Sequence, residues 1–287
     1  MLATAVRGGG IAIRARGLPR RLGDDVFHRL MSLSWPRLLG LFTGVFLALN
    51  LLFAGLYRLD PAGLMIAHDT GDLPLFWRDF FFSVHTVATI GYGNVYPASL
   101  YANVMVVIEI TFGIIYFALA TGIAFARFSR PTARILFSDV VVVRAVDGVP
   151  TLMLRAANQR HNMLYAAQAQ VAVLVDEEVG GIKLRRFVDL PLVRAANPTF
   201  ALTWLIMHTI DASSPLVGWL AESAPDAGVE IVVILSGTDE VSGQLVHGRA
   251  AYTAGQVRWG KRFDDIVGRD DDGVRTIDYA RFHAVVD

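Results

Sequence analysis

The run Thr89-Ile90-Gly91-Tyr92-Gly93 contains no charged residue and has two glycines spaced two residues apart. This spacing predicts a specific use of the backbone carbonyl groups. In an ordinary strand, successive backbone carbonyls point to opposite sides. They all face one side if every second residue takes a left-handed conformation, which glycine adopts at little cost and other residues at about 1–2 kcal/mol. Gly91 and Gly93 therefore predict a row of carbonyl oxygens, extended by the Thr89 hydroxyl, that can replace the hydration shell of a monovalent cation.

Two long apolar windows flank this run. Residues 38–57 contain no charged residue and residues 100–126 contain only Glu109. At about 1.5 Å per residue, each window can cross a hydrocarbon core of about 30 Å, so we predict membrane spans over 37–58 and 99–128. A pore helix predicted over 75–88 covers only about 20 Å and must enter the membrane and return. Non-helical backbone at that depth is tolerated where it lines a water-filled path. Residues 89–93 follow the pore helix directly, so we predict that they line such a path.

The composition agrees with a membrane segment joined to a water-soluble domain. Hydrophobic residues make up 54% of the chain, charged residues 18%, and there are no cysteines that could form disulfides or thiolate metal sites. Residues 135–287 alternate short apolar runs with Gly, Pro and Asp breaks, including a hairpin turn signal at Asp147-Gly148. The predicted fold is a two-span helical pore domain (36–134) with a re-entrant pore helix, followed by an immunoglobulin-like β-sandwich.

The arginines predict the orientation. They flank the two apolar windows, at Arg7, Arg14, Arg16, Arg20, Arg21 and Arg37 before residues 38–57 and at Arg127, Arg130 and Arg134 after residues 100–126. Under the positive-inside rule, both termini are expected in the cytoplasm. Nearly all basic residues are Arg rather than Lys, which is typical of GC-rich bacterial genes, so we expect the chain in a bacterial inner membrane. Residues 1–23 are predicted to be a disordered basic leader. Residues 24–35 are predicted to form an amphipathic helix that lies in the membrane interface or, equally, packs on the soluble domain.

The stretch "TVATIGYG" resembles the potassium-channel signature T-x-G-Y-G. Residues 24 to 280 resemble the inward-rectifier potassium channel family, prokaryotic branch. The segments with this resemblance are "FWRDFFFSVHTVATIGYG", "ATGIAFARFSRP", "LTWLIMHTIDASSPL" and "ILSGTDEVSGQLVHGRAAY". The resemblance implies a homotetramer around one K⁺ path, with K⁺ held at Thr89, Ile90, Gly91 and Tyr92 and no other cofactor. Because no span has the periodic arginines of a voltage sensor, gating is expected elsewhere.

The same resemblance implies roles along the second span and in the soluble domain. The implied gate residues are Gly113, Gly122 and Phe125 in the span, and Gly237 and Thr238 in a cytoplasmic loop over 237–243; the implied cavity residues are Phe117 and Thr121. A ring of Phe125 side chains would close the path by excluding water. Periodicity alone favours simple packing of Phe125 against helix or lipid.

A lipid site is predicted where the second span ends. Arg127, Arg130 and Arg134 lie three and four residues apart, on one helical face until Pro131 disturbs it. A basic group near an anionic membrane surface contributes about 1 kcal/mol, so these arginines predict modulation by anionic lipid. Topogenic arginines would give the same pattern. The resemblance adds Arg37 and Arg160 to this predicted site.

Glu109 is the only acid within a span, where an unpaired charge costs about 2.5–3.5 kcal/mol or more. We expect it behind the filter, hydrogen-bonded or protonated, rather than as an ion ligand. Eukaryotic relatives often pair a pore-helix glutamate with an arginine after the filter. Here these positions are His85 and Val95, so that brace is predicted to be absent.

Rectification is predicted to be weak. Strong rectifiers of this family hold polyamines with acids at a cavity position and in the cytoplasmic path, and the matching positions here are Phe117, Ala166 and Ser236. All three are uncharged. Asp239 and Glu240 remain as acids that restore some negative potential at the 237–243 loop.

Motifs of enzymes and of nucleic-acid binding are missing from the sequence. The segment "RDDDGVRTIDY" has Gly268 and Tyr279 where a calcium loop needs Asp and Glu, and His161, His208, His247 and His283 stand in no catalytic or zinc motif. Two alternatives to the inward-rectifier prediction stay open: a potassium pore gated by another ligand on the sandwich, and a membrane-tethered binding module whose pore is vestigial.

Overall fold

The computed structural model describes residues 4–6, 13–15, 26–67, 73–160, 162–218 and 230–287. The chain divides into two compact units, one of residues 19–130 and one of residues 131–287 together with 1–18. The first unit is built mainly of helices and the second mainly of β-strands.

Four helices form the first unit: α1 (Val26–Ser32), α2 (Trp35–Tyr57), α3 (Leu75–Val87) and α4 (Leu100–Phe128). Helices α2 and α4, of 23 and 29 residues, are long and apolar enough to cross a membrane, as predicted over 37–58 and 99–128. Pro36 lies in the first turn of α2, where its missing N–H costs no helical hydrogen bond. Ser99 caps α4 by accepting a hydrogen bond from the Ala102 N–H.

Helix α3 corresponds to the predicted pore helix and has 13 residues, too few to span. It packs against both α2 and α4. The core of this unit consists of Phe53, Tyr57, Leu64, Phe82 and Ala102. These side chains come from both long helices, from α3 and from Leu64 before α3, so the position of α3 is fixed by contacts on several sides.

A short antiparallel ribbon, which the sequence did not predict, joins the two sides of the pore loop. Strand β3 (Leu64–Ile66) before α3 pairs with β4 (Val95–Pro97) after the 89–93 run. The Ala67 N–H extends this ribbon by donating to the Asn94 carbonyl at 2.8 Å. The segment that follows residues 89–93 is therefore hydrogen-bonded to the segment that precedes α3.

The N-terminal leader differs from its prediction. Residues 1–23 were expected to be disordered, but β1 (Thr4–Val6) and β2 (Ile13–Ala15) form an antiparallel pair. Val6 and Ile13 pair directly, and Thr4, Val6 and Ile13 are β-branched, which suits strands. The rest of residues 1–25 lies outside the described part of the chain.

Fourteen further strands follow α4. In chain order they are β5 (Ile135–Phe137), β6 (Val141–Val146), β7 (Val149–Asn158), β8 (Leu164–Val179), β9 (Ile182–Asp189), β10 (Ala196–Phe200), β11 (Thr203–Thr209), β12 (Glu230–Asp239), β13 (Leu245–Thr253), β14 (Val257–Trp259), β15 (Arg262–Phe263), β16 (Val267–Arg269), β17 (Arg275–Ile277) and β18 (Val285–Val286). Two five-stranded sheets contain most of them. One has the order β10-β8-β12-β13 with β9 on β8, and the other β11-β7-β6-β14 with β5 on β7.

The two sheets bury a common core, which makes the domain the predicted β-sandwich. Leu154 and Ile206 from one sheet and Val173, Val233 and Leu235 from the other belong to a single apolar cluster. The predicted hairpin is confirmed between β6 and β7. Pairing is antiparallel throughout except for β14, which runs parallel to β6.

Candidate functional site

The backbone of the 89–93 run alternates in handedness, as the sequence predicts. Thr89, Gly91 and Gly93 have φ angles of +55°, +61° and +80°, whereas Ile90 and Tyr92 between them do not have positive φ. Thr89 takes the left-handed conformation although it has a Cβ atom, at a cost of about 1–2 kcal/mol. The left-handed backbone of Thr89 was not predicted, because the glycine spacing pointed only to residues 91 and 93. Alternation over successive residues is the conformation that turns carbonyls to one side.

The end of α3 holds the start of this run. The N–H groups of Ile90 and Gly91 donate to the His85 carbonyl at 2.8 and 3.4 Å, and the Thr89 N–H donates to the Thr86 carbonyl at 3.0 Å. The His85 ring also meets the Tyr92 ring edge-on, with centroids 4.8 Å apart. His85 thus contacts the filter run through both its backbone and its ring, at the position where the glutamate brace of relatives is missing.

Gly113 lies where α4 passes the end of α3. A Cβ atom at Gly113 would come within 3.2 Å of Val87 Cγ1 and 3.4 Å of the Val87 carbonyl oxygen. The glycine therefore has a packing reason that is separate from the gating role implied by the family resemblance. Gly122, further along α4, has nothing within 4 Å of its would-be Cβ.

We expect G113A to destabilise the helical unit and G122A not to. The added methyl of G113A must displace Val87, and overpacking of this kind typically costs about 1–3 kcal/mol. G122A adds a methyl in open space and removes glycine from a helix, which favours the fold by about 0.5–1 kcal/mol. Thermal unfolding of the two purified variants in detergent tests this. Equal melting temperatures for G113A and the parent would contradict the close packing at Val87.

The predicted cavity and gate side chains share one face of α4. Phe117, Thr121 and Phe125 are each four residues apart, a spacing that places them above one another on a helix. Phe125 is 72% exposed on the single chain and Phe117 44% exposed. Phe117 also contacts Phe46 of α2, with ring centroids 6.4 Å apart. The stripe is therefore largely free on this chain, with Phe125 its most exposed aromatic ring.

The predicted lipid arginines do not form a uniform set. Arg127 donates to the Leu33 carbonyl between α1 and α2, and its guanidinium lies 4.8 Å from the centre of the Trp35 ring. Arg37 and Arg130 are exposed. Arg127 thus has a contact within the helical unit that the sequence did not indicate.

In the sandwich, Arg160 has partners of its own. Its guanidinium forms an ion pair with Asp239 at 3.5 Å and donates to the Thr132 hydroxyl at 3.0 Å. The fifth arginine of the predicted set, Arg134, is exposed. Among these sandwich residues, only Arg134 is left as an exposed cation of the predicted lipid site.

The predicted 237–243 loop begins too early, because residues 237–239 are the end of β12 and the turn to β13 spans 240–244. Both of its acids accept hydrogen bonds. Asp239 is buried and accepts hydrogen bonds from the Ser242 N–H at 2.9 Å and the Asn162 amide at 2.7 Å. The Ser242 backbone N–H, followed by the Asn162 and Ser242 side chains and Arg160, holds the pKa of Asp239 below its usual range. Glu240 accepts from the Met163 N–H at 2.9 Å. The hydrogen bonds stabilise the ionised form of Asp239, whose charge is partly offset by the ion pair with Arg160, and Glu240 is exposed.

Gly237 and Thr238 are the last two strand residues before Asp239, with Gly237 at an irregularity in the pairing of β12 with β8. A Cβ atom at Gly237 would lie 3.2 Å from the Leu164 Cβ and 3.3 Å from the Ala167 Cα. Ala166, between these two neighbours, has a φ of +48°. Glycine is thus required at 237 by the close approach of β8. The uncharged Ala166 lies in a bulge that the sequence did not reveal.

Sequence reasoning missed three residues around Glu109. The Glu109 carboxyl is fully buried, accepts from the Tyr57 hydroxyl at 2.6 Å and contacts the Ser83 hydroxyl, which lies 3.0 Å from the Asn50 side-chain oxygen. These contacts direct the carboxyl group toward α2 and α3. Asn50 was the available signal, because an amide in the middle of an otherwise apolar span is uncommon and needs a partner.

Comparisons with known proteins agree with this architecture. A family model described as ion channel matches residues 43–130, and a model described as inward rectifier potassium channel C-terminal domain matches residues 135–287. The inward rectifier potassium channel Kirbac3.1 of Paramagnetospirillum magnetotacticum is 39% identical over 264 residues, which cover 91% of this chain and 88% of that protein.

Human relatives are more distant and longer. Inward rectifier potassium channel 18 of Homo sapiens is 31% identical, over 90% of this chain and 64% of that protein. ATP-sensitive inward rectifier potassium channel 11 of Homo sapiens is 31% identical, over 94% of this chain and 73% of that protein. The similarity extends across both the helical unit and the sandwich. This chain is therefore a membrane protein that belongs to the inward rectifier potassium channel family.

Proposed function

We propose that four copies of this chain surround one K⁺ path in a bacterial inner membrane, with residues 89–93 of each copy as the selectivity filter. The alternating left-handed backbone of Thr89, Gly91 and Gly93 is the single observation that supports this most directly. One strand provides one wall of a tube, so a closed ring of carbonyls needs rotated copies, and K⁺ filters of this kind are built from four loops. Carbonyls of Thr89, Ile90, Gly91 and Tyr92 then replace water around K⁺.

Membership of the family makes the chain a potassium channel of the inward-rectifier type and not an enzyme. What remains to be proposed is how this chain opens. Phe125 is the proposed constriction, because its exposed ring extends the Phe117 and Thr121 face of α4 and apolar rings block ion paths by excluding water. Gly122, with open space around it, is the proposed point of bending.

A second constriction is proposed at the 237–243 loop of the sandwich. The turn at 240–244 is stiffened by the Asp239 hydrogen bonds, and Gly237 and Thr238 lie at the end of β12 before this turn. Ligands or lipids that shift this loop would change the ion path without contact with the filter. Both termini are proposed to be cytoplasmic, since arginines cluster at the N-terminal end of α2 and at the C-terminal end of α4.

Anionic lipid is proposed to act through the exposed arginines. We expect R37Q/R130Q to shift the dependence of flux on anionic lipid, whatever its sign, by about 30-fold in concentration, since each cation contributes about 1 kcal/mol at the surface. R144Q is the matched control, because Arg144 is an exposed cation on sandwich strand β6. The measurement is ⁸⁶Rb⁺ uptake into liposomes over a series of phosphatidylglycerol fractions. Overlaid titration curves for R37Q/R130Q and the parent would show that these arginines serve only topology.

The same liposomes test the proposed function. The purified parent is expected to admit K⁺ and Rb⁺ and to exclude Na⁺, with Ba²⁺ as a blocking control. Flux that is absent in every lipid composition would favour a tethered binding module with a vestigial pore. Selective flux that ignores lipid, but responds to a solute added on the sandwich side, would favour a pore gated by another ligand.

A further inference from the structure

Four polar side chains contact one another inside the helical unit, two from α2 and one each from α3 and α4. Asn50 and Tyr57 come from α2, Ser83 from α3 and Glu109 from α4. Asn50, Ser83 and Glu109 are 0% exposed and Tyr57 is 2% exposed. The group therefore joins the pore helix to both spans through hydrogen bonds that water does not reach.

Counting protons assigns a direction to each bond. The Tyr57 hydroxyl donates to Glu109 Oε2 at 2.6 Å, and the Asn50 amide donates to the Phe46 carbonyl at 2.7 Å. The Ser83 hydroxyl contacts both Glu109 Oε1 and, at 3.0 Å, Asn50 Oδ1, but it has one proton and can donate to only one of them. If Glu109 is ionised, either its Oε1 or Asn50 Oδ1 loses its donor at Ser83.

A proton on Glu109 satisfies both contacts. Glu109 then donates from Oε1 to the Ser83 oxygen, and Ser83 passes its own proton on to Asn50 Oδ1. Each of the four contacts from Tyr57 through Glu109, Ser83 and Asn50 to Phe46 then has one donor and one acceptor. Burial argues in the same direction, because an isolated carboxylate in an apolar interior is far more costly than a neutral acid.

The neighbouring charges do not compensate a negative Glu109. On α3, one turn before Ser83, the buried Asp79 carboxyl is paired with Arg78 at 2.7 Å and lies 3.8 Å from an Arg58 nitrogen. Arg58 and Arg78 are therefore paired with Asp79 and not with Glu109. Within the described ranges, no basic group lies within 4.0 Å of the Glu109 carboxyl, whose recorded partners are two hydroxyl groups.

We propose that Glu109 is a protonated positioning residue, whose directional hydrogen-bond chain through Ser83 to Asn50 fixes the pore helix between the two spans. Ser83 lies two residues before His85, whose carbonyl receives the N–H groups of Ile90 and Gly91. A pore helix held at Ser83 therefore holds the first residues of the filter. This inference rests on the proposed function for its effect on selectivity, but the protonation itself does not.

Infrared difference spectroscopy tests the proton without any conduction. The spectrum of the parent minus that of E109Q at neutral pH is expected to contain the carbonyl stretch of a protonated carboxylic acid. The same difference for E240Q is the control, since Glu240 is an exposed acid that accepts bonds from the Met163 N–H and the Tyr165 hydroxyl. It should contain carboxylate bands only. A parent minus E109Q spectrum with carboxylate bands and no acid band would overturn the assignment and leave the proposed function intact.

Rescue by the amide tests positioning. E109A removes a donor and an acceptor from the chain and is expected to lower the K⁺ over Na⁺ permeability ratio about tenfold, the factor given by a loss near 1.4 kcal/mol. E109Q keeps an acceptor for Tyr57 and a donor for Ser83, so it should restore the parent ratio. If E109Q is as damaging as E109A while both assemble and melt like the parent, a charged Glu109 is required and the proposal is wrong.

Discussion

G93A is expected to abolish selective K⁺ flux. Gly93 has a φ of +80°, and nothing lies within 4 Å of a Cβ atom built on it, so the cost to alanine is conformational rather than steric. At about 1–2 kcal/mol per copy, four copies would lose about 4–8 kcal/mol in the left-handed geometry. The backbone would relax and turn its carbonyl away from the ion. Permeability ratios for K⁺ and Na⁺ in planar bilayers measure the effect.

A matched control exists in the sandwich. Gly148, in the β6–β7 hairpin, has a φ of +83° and equally open surroundings. G148A therefore has the same backbone cost far along the chain from the filter and should leave the permeability ratio unchanged. A G93A channel that still selects K⁺ over Na⁺ like the parent would remove residues 89–93 from the filter.

F117D is expected to convert weak spermine block into strong block. The parent has uncharged side chains at Phe117, Ala166 and Ser236, and Asp239, three residues after Ser236, is paired with Arg160. A ring of carboxylates in a narrow path attracts a multivalent cation strongly, so we expect roughly 100-fold tighter block, equivalent to about 2.7 kcal/mol. The measurement is voltage-dependent spermine block in planar bilayers.

F117N controls for the loss of the ring without added charge and should be blocked as weakly as the parent. Tight, steeply voltage-dependent block of the unmodified channel would show that other acids bind the polyamine, and that the match of these three positions to the family is misleading.

Features that depend on a few neighbouring residues, such as an apolar window, a glycine spacing or a turn dipeptide, were predictable from the sequence. The two spans follow from uninterrupted apolar windows, the short α3 from its length, and the alternating filter backbone from glycines two residues apart. The β6–β7 hairpin follows from Asp147-Gly148, both of which have positive φ. In each case the local chemistry of a few residues leaves one conformation.

Contacts between distant residues were not predictable. Arg127 looked like a membrane-facing cation because spacing shows its helical face, but not that the Leu33 carbonyl lies beside it. Arg160 looked free for lipid, yet it pairs with Asp239 from a strand far along the chain. Whether an arginine is exposed depends on which acceptors the tertiary fold brings near, and one sequence contains no record of that.

The pairing of β3 with β4 escaped notice for a related reason. Each strand has only three residues and no alternating pattern that would distinguish it from loop. The two strands meet because the fold brings the two ends of the 67–94 segment together, which no local pattern shows. The prediction of a disordered leader rested on the composition of the whole segment, which does not show that Val6 can pair with Ile13.

The Arg127 contact has a mechanical consequence for the helical unit. Arg127, near the end of α4, is tied to the Leu33 carbonyl in the joint between α1 and α2, and Phe128 packs on Trp35 with ring centroids 4.6 Å apart. The last turn of α4 and the first turn of α2 therefore behave as one rigid coupling. We therefore expect a displacement of α1 to move the end of α4, the helix that contains Phe125, together with it.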